Sequence, residues 1–218
     1  MIIHPVTVQE FIPTNAYFYI DEDTRHGVLI DPGAEADRLL NVMKEQDFSL
    51  QAILLTHGHF DHIGAAEALR QKLHIPVFMH ENGREYAQNP KWNLSAAFGE
   101  ECILEDITCL KDGDMIEFPQ APGLHLKLIH TPGHTTDGCI YYDEARHVAF
   151  VGDTIFAGSF GRTDFYGGDE GVLFRSIRDK ILTLPEETVL LSGHSEETTV
   201  GTEKNGPIWG HWAQGRLS

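Results

Sequence analysis

The chain has 218 residues, with 16 lysines and arginines against 33 aspartates and glutamates, and its formal net charge is −17 when the histidines are neutral. Its length and its hydrophobic content of 41% exclude a disordered or fibrous protein, because such a chain can bury a core. The acidic balance, with no cluster of basic residues, predicts that the protein does not bind nucleic acid, since it would repel phosphate groups.

No apolar run approaches the roughly 20 residues that span a bilayer, and the first residues lack the basic and apolar regions of a signal peptide. We therefore predict a cytoplasmic protein without a membrane partner. The three cysteines Cys102, Cys109 and Cys139 form no CxxC pair, which argues against a disulfide framework and against a thiolate zinc site. Histidine, with 13 residues, is the over-represented type.

The hydrophobic pattern predicts alternating strands and helices. In chain order these are strands over 2–8, 16–20 and 27–30, a helix over 34–46, a strand over 52–55, a helix over 63–73, a strand over 75–79, a short helix over 84–87, strands over 106–110, 115–118, 124–129, 139–142 and 148–151, a helix over 169–184 and a strand over 188–191. Such an alternation predicts one α/β or α+β domain over residues 1–218, with sheets covered by helices.

Three histidines and an aspartate lie within six residues, at His57, His59, Asp61 and His62, directly after the predicted strand over 52–55. Residues two apart in an extended loop point the same way, so His57 and His59 can converge on one ion. Asp61 and His62 would then turn toward a neighbouring ion. The spacing predicts a metal site rather than a group of surface histidines.

Further ligand types follow other predicted strands. His134 comes after the strand over 124–129, Asp153 after the strand over 148–151, and His194 after the strand over 188–191, each next to a glycine or one residue beyond it. Sheets of this kind place functional loops at the ends of their strands. Because buried polar groups are costly unless they are paired or bind metal, this repetition also favours metal binding.

These motifs resemble those of the metallo-β-lactamase-fold hydrolases, and within them the glyoxalase II-like group. The resemblance covers nearly the whole chain and rests on five features in order: Asp31 after the third strand, THGHFDH at 56–62, TPGHTTDG at 131–138, GDTIF at 152–156 and SGH at 192–194. It implies an α+β fold, an αββα four-layer sandwich with metals at one edge. The chain ends about 24 residues after His194, so we expect a single domain without the C-terminal helical domain of classical glyoxalase II.

Carried over position by position, the resemblance implies seven ligands to two divalent metals: His57, His59 and His134 for one, Asp61, His62 and His194 for the other, and Asp153 bridging both. Asp31 matches the buried aspartate of the family that hydrogen-bonds a ligand histidine. We expect Zn²⁺, with Fe and Mn²⁺ as alternatives, because ligands of these types accept all three. The best-known metallo-β-lactamases carry cysteine at the bridging position, so Asp153 argues against antibiotic hydrolysis.

The segment FAGSFGRTDFYGGD at 156–169 resembles a loop of glyoxalase II-like proteins and of persulfide dioxygenases. In glyoxalase II a basic residue of this loop binds the glycine carboxylate of glutathione, and Arg162 stands at the matching place with a side chain suited to carboxylates. The alternative interpretation is that Arg162 pairs with Asp164 or another local carboxylate.

The leading hypothesis is a binuclear hydrolase that acts on a small-molecule acyl thioester, such as S-lactoylglutathione, by attack of a metal-bound hydroxide. Asp61 or Asp153 would steer the proton. Three alternatives stay open: a persulfide dioxygenase with one iron held by His57 or His59, His134 and Asp153, a lactonase, and a protein that only binds metal. The sequence does not indicate the oligomeric state or the acyl group.

Overall fold

The computed structural model describes residues 1–210, and the first half of these residues forms a six-stranded sheet. The strands of this sheet lie side by side in chain order: β1 (Ile2–Gln9), β2 (Pro13–Ile20), β3 (His26–Ile30), β4 (Ser49–Leu54), β5 (Val77–His80) and β6 (Thr108–Leu110). β1, β2 and β3 pair antiparallel, whereas β3, β4, β5 and β6 pair parallel. The parallel part brings the carboxyl ends of its strands to one edge.

Eight further strands follow: β7 (Met115–Phe118), β8 (Ala121–His130), β9 (Cys139–Asp143), β10 (Val148–Gly152), β11 (Ile155–Phe156), β12 (Ser159–Phe160), β13 (Val189–Ser192) and β14 (Thr198–Thr199). β11 and β12 form a small hairpin of their own. The others form a second six-stranded sheet in the order β14-β13-β10-β9-β8-β7, in which only β10 and β13 pair parallel.

Residues 1–210 contain six α-helices: α1 (Ala36–Glu45), α2 (Phe60–Ile63), α3 (Ala66–Leu73), α4 (Gly83–Ala87), α5 (Glu170–Ser176) and α6 (Val200–Asn205). The Asp169 carboxylate begins α5 by accepting a hydrogen bond from the Val172 N–H at 2.8 Å. After α5 the chain continues as a π-helical turn over Ile177–Ile181, so the helix predicted over 169–184 is present but changes its hydrogen-bond pattern. Among the described helices none is long and apolar enough to cross a membrane.

The helix predicted over 63–73 is divided in the structure into α2 and α3, and this part of the prediction was wrong. The division occurs at Gly64, whose position lies so close to the Gly33 carbonyl that a Cβ would collide with it. α2 begins earlier than predicted, at Phe60, and therefore includes Asp61 and His62. The second half of the metal-site motif thus lies on a helical turn and not in an extended loop.

Strand side chains alternate between two cores, as the period of two in a β-strand requires. In β2, Tyr17 and Tyr19 face the second sheet, while Phe18 packs against the layer of α1 and α3. In β10, Phe150 faces the first sheet, while Val151 packs against α5. Each sheet is therefore buried on both faces, and the layers run helix, sheet, sheet, helix. This arrangement confirms the predicted α+β fold, the αββα sandwich.

Backbone hydrogen bonds join the two sheets at the edge where their strands end. The Cys139 N–H donates to the Thr56 carbonyl at 2.8 Å, and the Asn15 N–H donates to the Gly193 carbonyl at 2.8 Å. Within the second sheet the Gly193 N–H reaches the Gly152 carbonyl at 3.0 Å. The segments that follow β4, β10 and β13 are thus held together by main-chain contacts, independently of any side chain.

Phe150 lies in the core between the sheets, with ring centroids 5.6 Å from Tyr17 and 5.1 Å from Tyr19. We expect Phe150→Ala to lower the free energy of unfolding by about 3–5 kcal/mol, because it leaves a cavity that two rigid sheets cannot close. Urea unfolding followed by circular dichroism measures this change. Met115→Ala, at a side chain that is 57% exposed, is the control and should change stability by less than about 0.5 kcal/mol. Equal effects of the two variants would contradict this account of the core.

Candidate metal centre

The loop after β4 directs its histidines inward. His57, His59 and His62 are all buried, and the rings of His57 and His59 lie 4.9 Å apart at their centroids. His59 directly precedes α2, in an extended conformation with φ −67° and ψ 145°. The turn into the helix then places His62 against His57, with ring centroids 4.2 Å apart. The change from extended loop to helix therefore aims successive histidines at two neighbouring points.

His57, His59 and His134 form the first group of potential metal ligands, with one nitrogen from each within 4.8 Å of the others. His134 comes from the turn after β8, and its Nε2 lies 3.0 Å from Nδ1 of His59. All three side chains are buried. The structure thus brings together the three histidines that the sequence assigned to one metal, and their role as ligands stays a prediction.

Asp61, His62 and His194 form the second group, again within 4.8 Å of one another. Nε2 of His194 lies 3.2 Å from Oδ2 of Asp61 and 3.3 Å from Nε2 of His62. His194 follows β13 on the other sheet, whereas Asp61 and His62 belong to α2. Both sheets therefore contribute to this group.

Asp153 lies between the two groups. Its Oδ1 is 3.3 Å from Nε2 of His62, and its Oδ2 is 3.3 Å from Nε2 of His194 and 3.6 Å from Nε2 of His134. His57, His62 and Asp153 form a further set of ligand atoms within 4.8 Å. One carboxylate therefore reaches histidines of both groups, which is the geometry that a bridging ligand requires.

Asp31 orients ligands of both groups from behind. Its Oδ1 accepts a hydrogen bond from the Thr56 N–H at 2.8 Å, and its Oδ2 accepts from the Thr56 hydroxyl at 2.7 Å and from Nδ1 of His62 at 3.0 Å. Because the Thr56 hydroxyl donates its proton to Asp31, its oxygen can only accept a hydrogen bond from Nδ1 of His57, 3.2 Å away. Neutral His57 and His62 therefore carry their protons on Nδ1 and direct unprotonated Nε2 atoms into the cluster.

Backbone carbonyls orient two more histidines in the same way. Nδ1 of His134 donates to the Arg162 carbonyl at 2.6 Å, and Nδ1 of His194 donates to the Pro13 carbonyl at 2.8 Å. A carbonyl oxygen can only accept, so the proton of each neutral ring lies on Nδ1. Nε2 of each ring then presents its lone pair to the cluster, as metal ligation requires.

Burial and nearby carboxylates divide the histidines into two classes. Burial lowers the pKa of His57 well below its usual value, lowers the pKa of His59 to about 3, and also lowers the pKa of His134. Burial acts in the same direction on His62 and His194, but the neighbouring carboxylates, above all Asp153, outweigh it, raising the pKa of His62 well above its usual value and that of His194 to about 10. The first class presents neutral imidazoles at pH 7, while the second holds protons that a metal would displace.

Two unpaired nitrogen atoms also indicate that this cluster is suited to a divalent metal. Among the described residues, Nε2 of His57 and Nε2 of His59 are buried and have no hydrogen-bond partner. An unpaired buried polar atom costs about 1–3 kcal/mol, which metal coordination would offset. Imidazole and carboxylate ligands suit Zn²⁺, Fe and Mn²⁺.

A cavity of about 450 Å³ opens onto the cluster, and His59, Asp61, His134, Asp153 and His194 form its polar floor. Its apolar wall is formed mainly by six residues: Ile12, Phe60, Leu94, Phe98, Phe156 and Phe165. This size lies within the range of small-molecule sites. A substrate bound there would place a reacting group directly against the ligand cluster.

Arg162 lies on the wall of the same cavity, but its guanidinium already has partners. Nε and NH2 of Arg162 donate to the two carboxylate oxygens of Asp164 at 2.9 and 2.7 Å, and the guanidinium lies 4.3 Å above the ring of Phe165. Both charged side chains are largely exposed. The structure thus contains the local ion pair that was the alternative interpretation of Arg162, at the position where a substrate carboxylate is expected.

Sequence reasoning missed two parts of the site. Thr56 was part of the recognised motif, yet its link between Asp31 and His57 was not foreseen. The apolar wall was missed as well, although Phe60, Phe156 and Phe165 each stand one to three residues from a predicted site residue and offered a signal. Leu94 and Phe98 lie in a segment without any periodic pattern, and nothing in the sequence pointed to them.

Comparison with known proteins agrees with this geometry. A family model described as the metallo-beta-lactamase superfamily matches residues 10–194. The chain is similar to the probable metallo-hydrolase YqgX of Bacillus subtilis, with 40% identity over 195 residues that cover 89% of this chain and 90% of that protein. It is also similar to the hydroxyacylglutathione hydrolase GloC of Haemophilus influenzae, with 34% identity over 202 residues that cover 89% and 94%.

Two solved structures resemble the fold over almost their entire length. The crystal structure of the BLEG-1 B3 metallo-beta-lactamase has a TM-score of 0.88 and 36% identity, covering 95% of this chain and 99% of that chain. The crystal structure of TTHA1623 in a di-iron-bound form has a TM-score of 0.83 and 33% identity, covering 94% and 99%.

Asp31→Asn tests how the cluster is oriented. Asp31 has φ 50°, in the left-handed region that asparagine also tolerates, so the backbone should remain in place while the charge that holds Thr56 and His62 is lost. We expect metal affinity to fall by about 10–100-fold, measured by competition with a chromophoric chelator. Asp47→Asn is the matched control, because Asp47 is exposed and has φ 54°. A folded Asp31→Asn protein that binds metal as tightly as the unaltered chain would contradict the role of Asp31.

Proposed function

The chain belongs to the metallo-beta-lactamase superfamily, in agreement with its sequence motifs, and we propose that it hydrolyses an acyl thioester such as S-lactoylglutathione with two divalent metals. The family and the cluster of histidines and aspartates make the protein a metal-dependent hydrolase. The proposal of a binuclear site rests on one observation, the two ligand groups that Asp153 connects. The similarity to a hydroxyacylglutathione hydrolase supports the thioester. Zn²⁺ is the metal that we propose.

A divalent metal at this position supplies Lewis acidity, which lowers the pKa of a water and polarises a carbonyl oxygen. The contribution of the chain is to hold the ligands rigid. The Arg162 and Pro13 carbonyls fix the rings of His134 and His194, and Asp31 fixes His62. Little reorganisation is then required when substrate binds.

Asp61 and Asp153 are the groups that we propose to steer the proton of the attacking water. Both line the cavity, and Oδ2 of Asp61 lies 3.5 Å from the Thr14 hydroxyl and 3.2 Å from Nε2 of His194. A proton taken up at Oδ2 of Asp61 can therefore pass to the Thr14 hydroxyl, while Nε2 of His194 stays available to a metal. The leaving thiolate needs little acid assistance, because a free thiol has a pKa of about 8.5.

Arg162 is the residue that we propose to bind a carboxylate of the thiol carrier. Its exposed pair with Asp164 is held at a high-dielectric surface, where such pairs contribute only about 0–1 kcal/mol. A substrate carboxylate can therefore replace Asp164 at small cost. Asp164 then acts as a competitor that weakens binding of the carrier.

We expect about two metals per chain in elemental analysis of the purified protein, and hydrolysis of S-lactoylglutathione that a chelator abolishes and Zn²⁺ restores. We expect His194→Ala to lower kcat by at least about 100-fold, because several kcal/mol of transition-state stabilisation depends on the metals. His125→Ala is the matched control, since His125 is exposed, lies 3.6 Å from Glu117 and does not line the cavity. Its activity should equal that of the unaltered protein.

The same sample separates the alternatives. Inactivity toward every thioester in protein that carries two metals would overturn the thioesterase. One iron per chain with oxygen uptake on glutathione persulfide would favour a persulfide dioxygenase, and faster hydrolysis of a lactone would favour a lactonase. A penicillin belongs in the assay because one similar structure is a B3 metallo-beta-lactamase.

Variants of the exposed ion pair test carrier recognition. We expect Arg162→Ala to raise KM for S-lactoylglutathione by about 3–10-fold with kcat nearly unchanged, since it removes binding common to ground and transition state. Asp164→Asn should lower KM, because the arginine loses its competitor. Steady-state kinetics measures both effects.

Arg178→Ala is the control for these two variants. Arg178 forms the same kind of exposed pair, with Asp179 at 2.6 and 2.7 Å, and it does not line the cavity. It should leave KM unchanged. If Arg162→Ala and Arg178→Ala behave alike, Arg162 does not bind the carrier.

A further inference from the structure

The polar side chains that line the cavity above the histidine and aspartate cluster lie at its floor, with one exception in the wall. Apart from the five cluster side chains, Arg162 is the single polar side chain in its described wall. The remaining wall is phenylalanine and aliphatic, and four rings take part: Phe60, Phe98, Phe156 and Phe165. Small-molecule sites place few polar groups among apolar ones to fix orientation, and the apolar part then selects the rest of the ligand.

The one cation of this wall is Arg162, which is proposed above to bind a carboxylate of the thiol carrier, so it does not also serve a polar acyl substituent. Both carboxylate oxygens of Asp164 already accept hydrogen bonds from Arg162, and the ring of Phe165 covers one face of the guanidinium. A hydroxyl or charged group on the acyl chain would leave water without gaining a described partner on the wall. Such desolvation is unfavourable, whereas burial of methylenes against phenylalanine is favourable.

The apolar surface also continues from the cavity to the outside. The Phe60 and Phe98 rings lie 4.6 Å apart, and Phe11 lies 5.0 Å from Phe98. Phe11 and Phe98 are 44% and 40% exposed. Ile12, in the turn between β1 and β2, lines the cavity and is 37% exposed. An apolar group that enters along these rings would cover surface that water otherwise contacts.

Leu94 is a part of this wall whose backbone is strained. It has φ 72°, a left-handed conformation that is strained for a leucine, and it contributes to the cavity wall. A left-handed conformation at a non-glycine residue costs about 1–3 kcal/mol. Leu94 directly precedes the 3₁₀ turn Ser95–Phe98, which contributes Phe98 to the same wall.

We propose that the substrate acyl group is apolar, an aliphatic chain of about four to eight carbons, and that it lies against the phenylalanine wall during hydrolysis. The proposal rests on the thioesterase function and specifies its substrate class. In the reaction the acyl carbon gains an oxygen from water, the C–S bond breaks, and the thiolate sulfur keeps the electron pair. The products are an aliphatic carboxylate and a free thiol: of the two protons of the water, one goes to the thiolate sulfur and the other is released to solvent.

The test is a series of glutathione thioesters that differ only in the acyl group: lactoyl, acetyl, butanoyl and hexanoyl. Each buried methylene should raise kcat/KM by up to about fourfold, so hexanoyl should exceed acetyl by at least tenfold, and lactoyl should be hydrolysed measurably but with a lower kcat/KM than butanoyl. Phe98→Ala should reduce the ratio of hexanoyl to acetyl to less than about threefold. Phe98 is partly exposed on a short 3₁₀ turn, so this variant should fold.

Ile103→Ala is the matched control, because Ile103 is 42% exposed and shares a neighbouring groove with Phe98 but does not line the cavity. It should keep the full ratio of hexanoyl to acetyl. A ratio near one in the unaltered protein, with clear turnover of S-lactoylglutathione, would overturn the apolar acyl group and leave the thioesterase intact.

Binding of inert thioethers separates failure of the inference from failure of the thioesterase. If no thioester is hydrolysed by metal-loaded protein, S-hexylglutathione and S-methylglutathione are compared by calorimetry. At least tenfold tighter binding of the hexyl compound, lost in Phe98→Ala, would support the apolar wall without any reaction. Equal affinities would overturn it.

Discussion

A single buried carboxylate, Asp31, orients the part of the histidine cluster that follows β4. Asp31 is 2% exposed, and burial of a carboxylate is unfavourable unless its oxygens are hydrogen-bonded. Here three donors satisfy it: the N–H and hydroxyl of Thr56 and the ring of His62. Since Thr56 in turn orients His57, the carboxylate that requires these donors also sets the proton positions of two histidines.

The fold brings these groups together by strand pairing. β3 and β4 are parallel neighbours, with Ile30 opposite Leu54, so the residues that follow each strand emerge side by side. The second sheet contacts these residues through glycines, whose backbone carries no side chain. A Cβ on Gly193 would lie 2.5 Å from Cε1 of His62, and Gly152, with φ 48°, lies directly against Thr56. These glycines allow the two sheets to approach closely enough for His62 and His194 to share one group of ligands.

The features that could be predicted from the sequence are those that depend on residues close together in the chain. The fold class followed from strand and helix alternation together with the family resemblance, and the ligand residues stood at strand ends in distinctive local motifs. The errors concern features without a local pattern. Two-residue strands such as β11 and β14 are too short for a period, and at the division between α2 and α3 the Ala65 N–H donates at 2.9 Å to the carbonyl of Pro32, which is distant in sequence.

Local motifs and distant contacts also differ in what they determine: the motifs determine the reaction, and the distant contacts determine the substrate specificity. The predicted metal ligands lie in short motifs that a resemblance in sequence can identify, whereas the cavity wall combines Ile12, a segment around Leu94 and the loop with Phe165. Only tertiary contacts unite these three segments, and each can change without disturbing Asp31 or the strands beneath it. Proteins of one fold can therefore keep a common floor of histidines and aspartates and differ in the wall above it. For this chain the substrate must be inferred from the phenylalanines rather than from the metal ligands.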